Sequence, residues 1–184
     1  MLFLLLCVYV RYLKSQDPSI KIVLADPTGS SLLHKVKYNV CYAPQQAERG
    51  IRKHRYDSVV EGVGLDRVTQ NFALGAIDGG HLIPDQEVVE MAHWLLRNEG
   101  LFVGSSSALN IAATVREAHA LRQLAQRDNE SNGQHHRIKI VTVICDNGNR
   151  HLSRFWNEDY LLVNYKLLWP NERNVPNCLK LFGL

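Results

Sequence analysis

The sequence is short of what most specialised folds require. Of its 184 residues only four are cysteine (Cys7, Cys41, Cys145 and Cys178), with no CxxC pair and no histidine close by at ligand spacing. That excludes a zinc finger or a disulfide framework, leaves no metal site to propose, and points to a reducing compartment. Six prolines and 12 glycines are too few for collagen or a flexible linker, and a 46% hydrophobic content is too high for disorder. A dominant charge is missing too: 21 Lys+Arg against 18 Asp+Glu leaves +3, and the basic residues are scattered apart from a cluster from Arg49 to Arg55. Nucleic acid is therefore set aside as a partner. No apolar run is long enough to cross a bilayer. Met1 to Val10 reads MLFLLLCVYV, and a helix of that length reaches about 15 Å, half a hydrocarbon core. It lacks the preceding basic residue and the following small residues of a signal peptide. A place inside a fold is expected for it, ahead of a targeting or membrane-anchoring role.

What is present is an ordinary globular chain, large enough to bury roughly 70% of its unfolded surface as one domain. Ile20 to Ala25 is a short apolar run of the kind found buried in a parallel sheet, ended by Asp26-Pro27. Ser30 to Tyr56 has no clean period and reads as a surface excursion, and Val59-Val60 as the end of a short strand. Leu65 to Ala73 is expected to form a short helix, and Ile77 to Ile83 an irregular extended segment. Asp85 is a candidate N-cap for a helix with Val88, Ala92, Leu95 and Leu96 on one face, stopped by Gly100. A second helix is expected from about Ser106 to Arg127, with a small-residue stripe of Ala108, Ile111, Ala112, Val115 and Ala118 suited to close approach to a sheet. Ile138 to Ile144 reads as a second strand, after a polar loop holding His135 and His136, and the tail from Asn157 reads as irregular. Alternation of strands and helices predicts an α/β fold with a mostly parallel sheet flanked by helices, with ligands at the glycine-rich tips after the strands.

Three such tips stand out. Gly104-Ser105-Ser106-Ser107 opens the long helix, where unpaired backbone N–H groups and hydroxyls can meet an anion or a ring nitrogen; a serine N-cap is the simpler alternative. Gly62-Val63-Gly64 lets a ligand approach bare backbone, or makes a tight turn. Asp146-Asn147-Gly148 is a turn signal placed where α/β folds put function.

Taken in order, VEGVG, DQEVVEMAHWLLRNEGLFVGSSSALNIAAT and KIVTVICDNGNRHLS resemble the C-terminal half of the pyridoxal-phosphate (PLP) enzymes that make cysteine or cystathionine. This is the cysteine synthase and cystathionine β-synthase family, with fold type II. The resemblance covers most of Val10 to Leu152 and implies a division into an apolar segment (1–10), a partial large domain (11–156) and a tail (157–184). It implies that Ser106 hydrogen-bonds the pyridine nitrogen of PLP, that Gly62 and Gly64 let backbone approach the cofactor and substrate, and that Gly104 is among the cofactor-binding residues. Asp146 and Asn147 would lie in the loop lining the ring, with Arg150 and Ser153 beside it. The implied reaction is loss of an activated leaving group from a serine derivative and addition of sulfide or a thiol, in a homodimer located in the mitochondrion or the cytoplasm. Departures from the family pattern are Ala108 in place of a glycine, Leu109 and Asn110 in place of smaller residues, and Cys145 where proline is common. Asp66 leans toward the cystathionine β-synthase branch.

The resemblance also implies a Schiff-base lysine, a Gly/Thr-rich phosphate loop and an Asn-containing substrate loop, all upstream of the matched region. None of the eight lysines (14, 21, 35, 37, 53, 139, 166 and 180) stands in that lysine's context, so no catalytic residue is assigned and weak or no PLP binding is expected of these residues alone. The expectation is a truncated cysteine synthase-like enzyme. A non-catalytic family remnant that binds a partner, a membrane-associated protein and a cystathionine β-synthase-like fragment are the alternatives.

Overall fold

The computed structural model describes residues 2–43, 58–132, 138–171, 173 and 175–183. The basic cluster from Arg49 to Arg55 and the histidines at 135 and 136 lie outside the described residues. Two compact units form, Met1–Leu82 and Ile83–Leu184.

In the first unit the apolar start belongs to α1 (Leu2–Gln16). It ends at Asp17-Pro18, where Asp17 Oδ1 accepts from the Ser19 N–H at 2.8 Å in a local turn that competes with further helix. Lys14, in the last turn of α1, donates to Asp78 at 2.8 Å. That hydrogen bond, with a second from the Ile22 N–H, holds the Asp78 carboxyl below its ordinary range. Strands β1 (Val23–Pro27) and β2 (Gly79–Ile83) pair in a two-stranded sheet. The pairing is parallel: Asp78 N–H donates to Ile22 O, and two residues on Gly80 lies against the Leu24 carbonyl. Between the strands come α2 (Leu32–Tyr38) and α3 (Gln70–Ala73). Among the described residues no helix is long and apolar enough to cross a membrane.

The helix expected over Leu65–Ala73 is confined to α3, opened by Thr69 accepting from the Phe72 N–H, and the segment expected to be irregular from Ile77 to Ile83 holds the paired strand β2. Two further expectations for this unit are corrected. The stretch from Ser30 is not all surface, because the fully buried Asp26 carboxylate accepts from the Leu33 N–H at 2.8 Å and draws Ser30 to Leu33 into the core as the start of α2. Val59 and Val60 are buried but form no strand; the Val60 N–H is taken by Ser58 Oγ at 3.1 Å, which leaves a turn.

In the second unit α4 (Asp85–Glu99) packs on α5 (Ser105–Asn132). Pro84 rather than Asp85 takes the capping position; α4 stops, as expected, at Gly100, whose φ of 68° is left-handed. Val88, Val89, Met91, Ala92 and Leu95 are buried, as are Ala108, Leu109, Ala112 and Ala113. The small-residue stripe of α5 thus lets α4, not a sheet, come close. Helix α5 begins one residue earlier than expected and continues through Asp128-Asn129-Glu130, residues that helix propensity tolerates when no proline or glycine intervenes.

The tail is more regular than its composition suggests. Asn157 caps α6 (Glu158–Tyr165) by accepting from the Tyr160 N–H at 2.9 Å, with Glu158 and Asp159 favourably placed in the first turn. Helix α7 (Asn177–Lys180) packs against α5. The run from Ile138 to Ile144 is corrected most sharply: it lies in no ladder, and Val141 is 92% exposed. Its alternating β-branched residues favour a strand, but only Asn147, beyond it, finds a bridge, to Val103. A strand is defined by its partner's hydrogen bonds, and no described segment offers them along 138–144.

Candidate functional site

The residues before α5 and those after the 138–144 run meet, although 40 positions separate them in sequence. The Val103–Asn147 bridge is antiparallel, with Gly148 N–H donating to Phe102 O at 3.0 Å and Gly104 N–H to Asp146 O at 3.2 Å. Ser107, fully buried, is the hub: its Oγ accepts from Cys145 N–H at 2.9 Å and from Asp146 N–H at 3.3 Å, and lies 3.3 Å from Asp146 O. Asn147 Oδ1 accepts from Asn149 N–H at 2.9 Å and opens a short 3-10 helix, Gly148–His151. Trp156 closes one side, donating from Nε1 to Val103 O at 2.9 Å and packing on Phe102.

Gly104, Ser106, Asp146 and Asn147 are therefore brought together. Ser105 and Ser107 are buried, whereas Ser106 is half-buried and its hydroxyl has no hydrogen-bond partner among the described residues. A partner-free hydroxyl in the first turn of a long helix suits a ligand atom that accepts or shares one hydrogen bond. Gly62 and Gly64 lie in the first unit, with φ of 76° and 79°, where a side chain would be strained. The neighbouring Leu65 carbonyl accepts from the Ser31 N–H at 2.8 Å and from the Ser30 and Ser31 hydroxyls, which fixes this turn beside Ser30-Ser31.

Ser107's role and His151 are not among the site residues that the motifs suggest. The His151 Nε2 donates to Asp146 Oδ2 at 2.7 Å, and the other Asp146 oxygen, Oδ1, is buried with no partner among the described residues. The only available signal was a histidine five positions after an aspartate, in a stretch rich in polar residues. Gly104 is required by packing: a Cβ there would run into the Asp146 carboxylate and stand 2.8 Å from His151 Nε2. Gly104→Ala is expected to lower stability by about 1–3 kcal/mol through overpacking, and thermal melting of the variant against the parent chain measures it; an unchanged midpoint would show that the loop yields freely.

A serine without a partner among the described residues thus opens a long helix in an α/β chain, with the aspartate-asparagine-glycine loop bonded across the residues just before it. Residues 4–146 match the family described as pyridoxal-phosphate dependent enzyme, so the chain belongs to that family and its cofactor is PLP. It is 45% identical over 153 residues to cysteine synthase 2 of Schizosaccharomyces pombe, covering 82% of this chain and 35% of that protein. It is 41% identical over 139 residues to a Saccharomyces cerevisiae protein whose name includes "mitochondrial cysteine synthase", covering 74% of this chain and 32% of the other. Among solved structures, the O-acetylserine dependent cystathionine beta-synthase from Helicobacter pylori is similar, with a TM-score of 0.51 and 25% identity, over 81% of this chain and 39% of that one. The chain thus spans about a third of the length of the curated relatives it matches.

The residues present fit the ring edge of PLP: Ser106 offers a free hydroxyl at a half-buried position, and the 146–148 loop crosses beside it. Several lysines are engaged locally. Lys14 pairs with Asp78, Lys35 with Asn39, Lys166 with the Val163 carbonyl and Lys180 with Asn177.

Proposed function

We propose that these residues form the ring-edge portion of a PLP-dependent cysteine synthase, which replaces the activated β-substituent of a serine derivative with sulfide or a thiol. The observation that carries this is the Ser106 hydroxyl, partner-free at the head of α5 among the described residues. The names of the relatives supply the substrate class. When bound, PLP supplies an electron-withdrawing ring that eases loss of a substrate's α-proton. Ser106 would hold the ring nitrogen with one neutral hydrogen bond. A hydroxyl, unlike a carboxylate, does not fix a positive charge there, so the withdrawal stays moderate, which suits elimination and replacement at the β-carbon. Asp146 and Asn147 would line the ring's edge with backbone already tied to Ser107 and Val103. Gly62 and Gly64 keep, within this proposal, the close-approach role that the resemblance implies, while Gly104 serves the site by admitting the Asp146 carboxylate and His151 beside the start of α5. A homodimer rests on the resemblance alone, and a mitochondrial address on the name of the yeast relative.

Loss of one neutral hydrogen bond to a bound ring weakens binding by about tenfold. Ser106→Ala is accordingly expected to reduce the already weak affinity of the chain for PLP by that factor, followed as quenching of tryptophan fluorescence in the purified chain at high PLP concentration. Equal affinity in the variant removes Ser106 from the site. With none of its lysines in the family context, the 184-residue chain supplied with PLP, O-acetylserine and sulfide is expected to form no cysteine. Sustained cysteine formation would overturn that part of the proposal.

A further inference from the structure

We propose that His151 is the positioning residue for Ser106, acting through the Asp146 carboxylate. The inference rests on the reading above, that Ser106 meets the pyridine nitrogen. An ionised carboxylate can only accept, so the proton in the 2.7 Å contact between His151 Nε2 and Asp146 Oδ2 belongs to the histidine. The His151 side chain is only 12% exposed, and Asp146 Oδ1 is buried without a partner among the described residues. Among the described residues, His151 therefore supplies the side-chain hydrogen bond to this carboxylate, which is otherwise 27% exposed.

Both groups press on the space that Gly104 leaves open, immediately before the first residue of α5. The Asp146 backbone is bonded to Gly104 and to Ser107. Ser106 sits between these two anchors. Removing the imidazole leaves a carboxylate with neither oxygen satisfied, and water becomes its best partner. Turning toward water would carry residues 145–148 away from the first turn of α5 and release the geometry that sets the Ser106 hydroxyl. His151 touches neither the ring nor a substrate in this account; its effect is transmitted by position.

The test uses the full chain and pyridoxine 5'-phosphate labelled with 15N in the ring, a probe whose alcohol forms no bond with lysine. The ring 15N resonance reads the hydrogen bond at that nitrogen directly, and a role in general stability alone would not move it. In the parent chain the bound probe is expected to shift from its free value, and in Ser106→Ala to return toward it. His151→Ala should match Ser106→Ala, and His151→Gln, which places an N–H near the Nε2 position, should restore the parent shift. A second measurement follows amide hydrogen exchange at Cys145, Asp146 and Gly148, expected to rise by about tenfold in His151→Ala and to recover in His151→Gln. A parent-like ring shift in His151→Ala, or unchanged exchange at those amides, overturns the role of His151. If the ring shift is the same in Ser106→Ala as in the parent, or the probe does not bind the parent, it is the ring-edge reading that fails, while the exchange data still decide whether His151 holds the loop.

Discussion

Arg116→Ala is expected to destabilise the second unit by about 3–5 kcal/mol, the largest effect of any single substitution considered for this chain. Glu87 on α4 is 2% exposed, and Arg116 on α5 meets it with two nitrogens, Nε at 3.2 Å from Oε1 and Nη2 against Oε2. The same carboxylate accepts from the Cys178 N–H at 3.2 Å, so one buried charge joins α4, α5 and α7. A buried ion pair adds little over a well-packed apolar pair, since both charges lose their hydration. Removing one member is different, because the other is left buried and uncompensated. The asymmetry of the pair fixes the ranking. Glu87→Gln discards the buried charge, and Arg116, whose side chain is 30% exposed, can turn to water. Its cost is expected to be smaller than that of Arg116→Ala, and the double variant Glu87→Leu with Arg116→Leu should recover part of the loss. Urea unfolding of the four chains checks the order; an Arg116→Ala midpoint within error of the parent would exclude the buried-charge account. The same surroundings explain Cys178: burial first, then the Glu87 charge, pushes its thiol up to about 12, so it stays protonated and inert to oxidants that require thiolate.

Acid is expected to destabilise the second unit through His93. This imidazole is 8% exposed on α4, set between Trp156 (ring centroids 4.6 Å apart) and Trp169 (4.3 Å), and its Nε2 is buried with no partner among the described residues. Desolvation, with the Arg97 charge behind it, pushes its pKa down to about 4 from an ordinary 6.5. The folded chain therefore keeps His93 neutral where the unfolded chain binds a proton. Its contribution is fully present above pH about 6.5 and is lost as pH falls through 6.5 toward 4, reaching about 3 kcal/mol at most. His93→Phe keeps an aromatic between the two indoles and removes the proton site. Its unfolding free energy should fall less steeply than that of the parent between pH 6.5 and 4.5. Parallel pH profiles for the two chains would assign the acid sensitivity elsewhere.

Much of the local structure was legible because local chemistry decides it. Gly100 stops α4 in a left-handed conformation that only glycine adopts cheaply, and Asp17-Pro18 stops α1. Asn157 followed by Glu158 and Asp159 is a legible cap as well, but the Trp and Pro residues around it give the tail an irregular pattern that hides α6. Ile138 to Ile144 departs from its pattern for the opposite reason. Its pattern is that of a strand, but hydrogen bonds to a neighbour make a strand, and a pattern in one segment says nothing about whether a neighbour is there.

The order of the glycine and serine motifs, and with it the family, is carried by the residues alone, because those motifs are short and their residue types are dictated by backbone conformation and cofactor chemistry. Which of three consecutive serines is left without a partner among the described residues depends on the packing of distant segments. Ser107 is taken by Cys145 and Asp146, almost 40 residues away, and Ser105 is buried, so Ser106 alone of the three is left half-exposed and partner-free among the described residues. The pairing of His151 with Asp146 over the gap at Gly104 was decided in the same way. Such contacts depend on how α5 and the 145–151 segment pack. Packing is a property of surfaces brought together from distant positions, which no local pattern records.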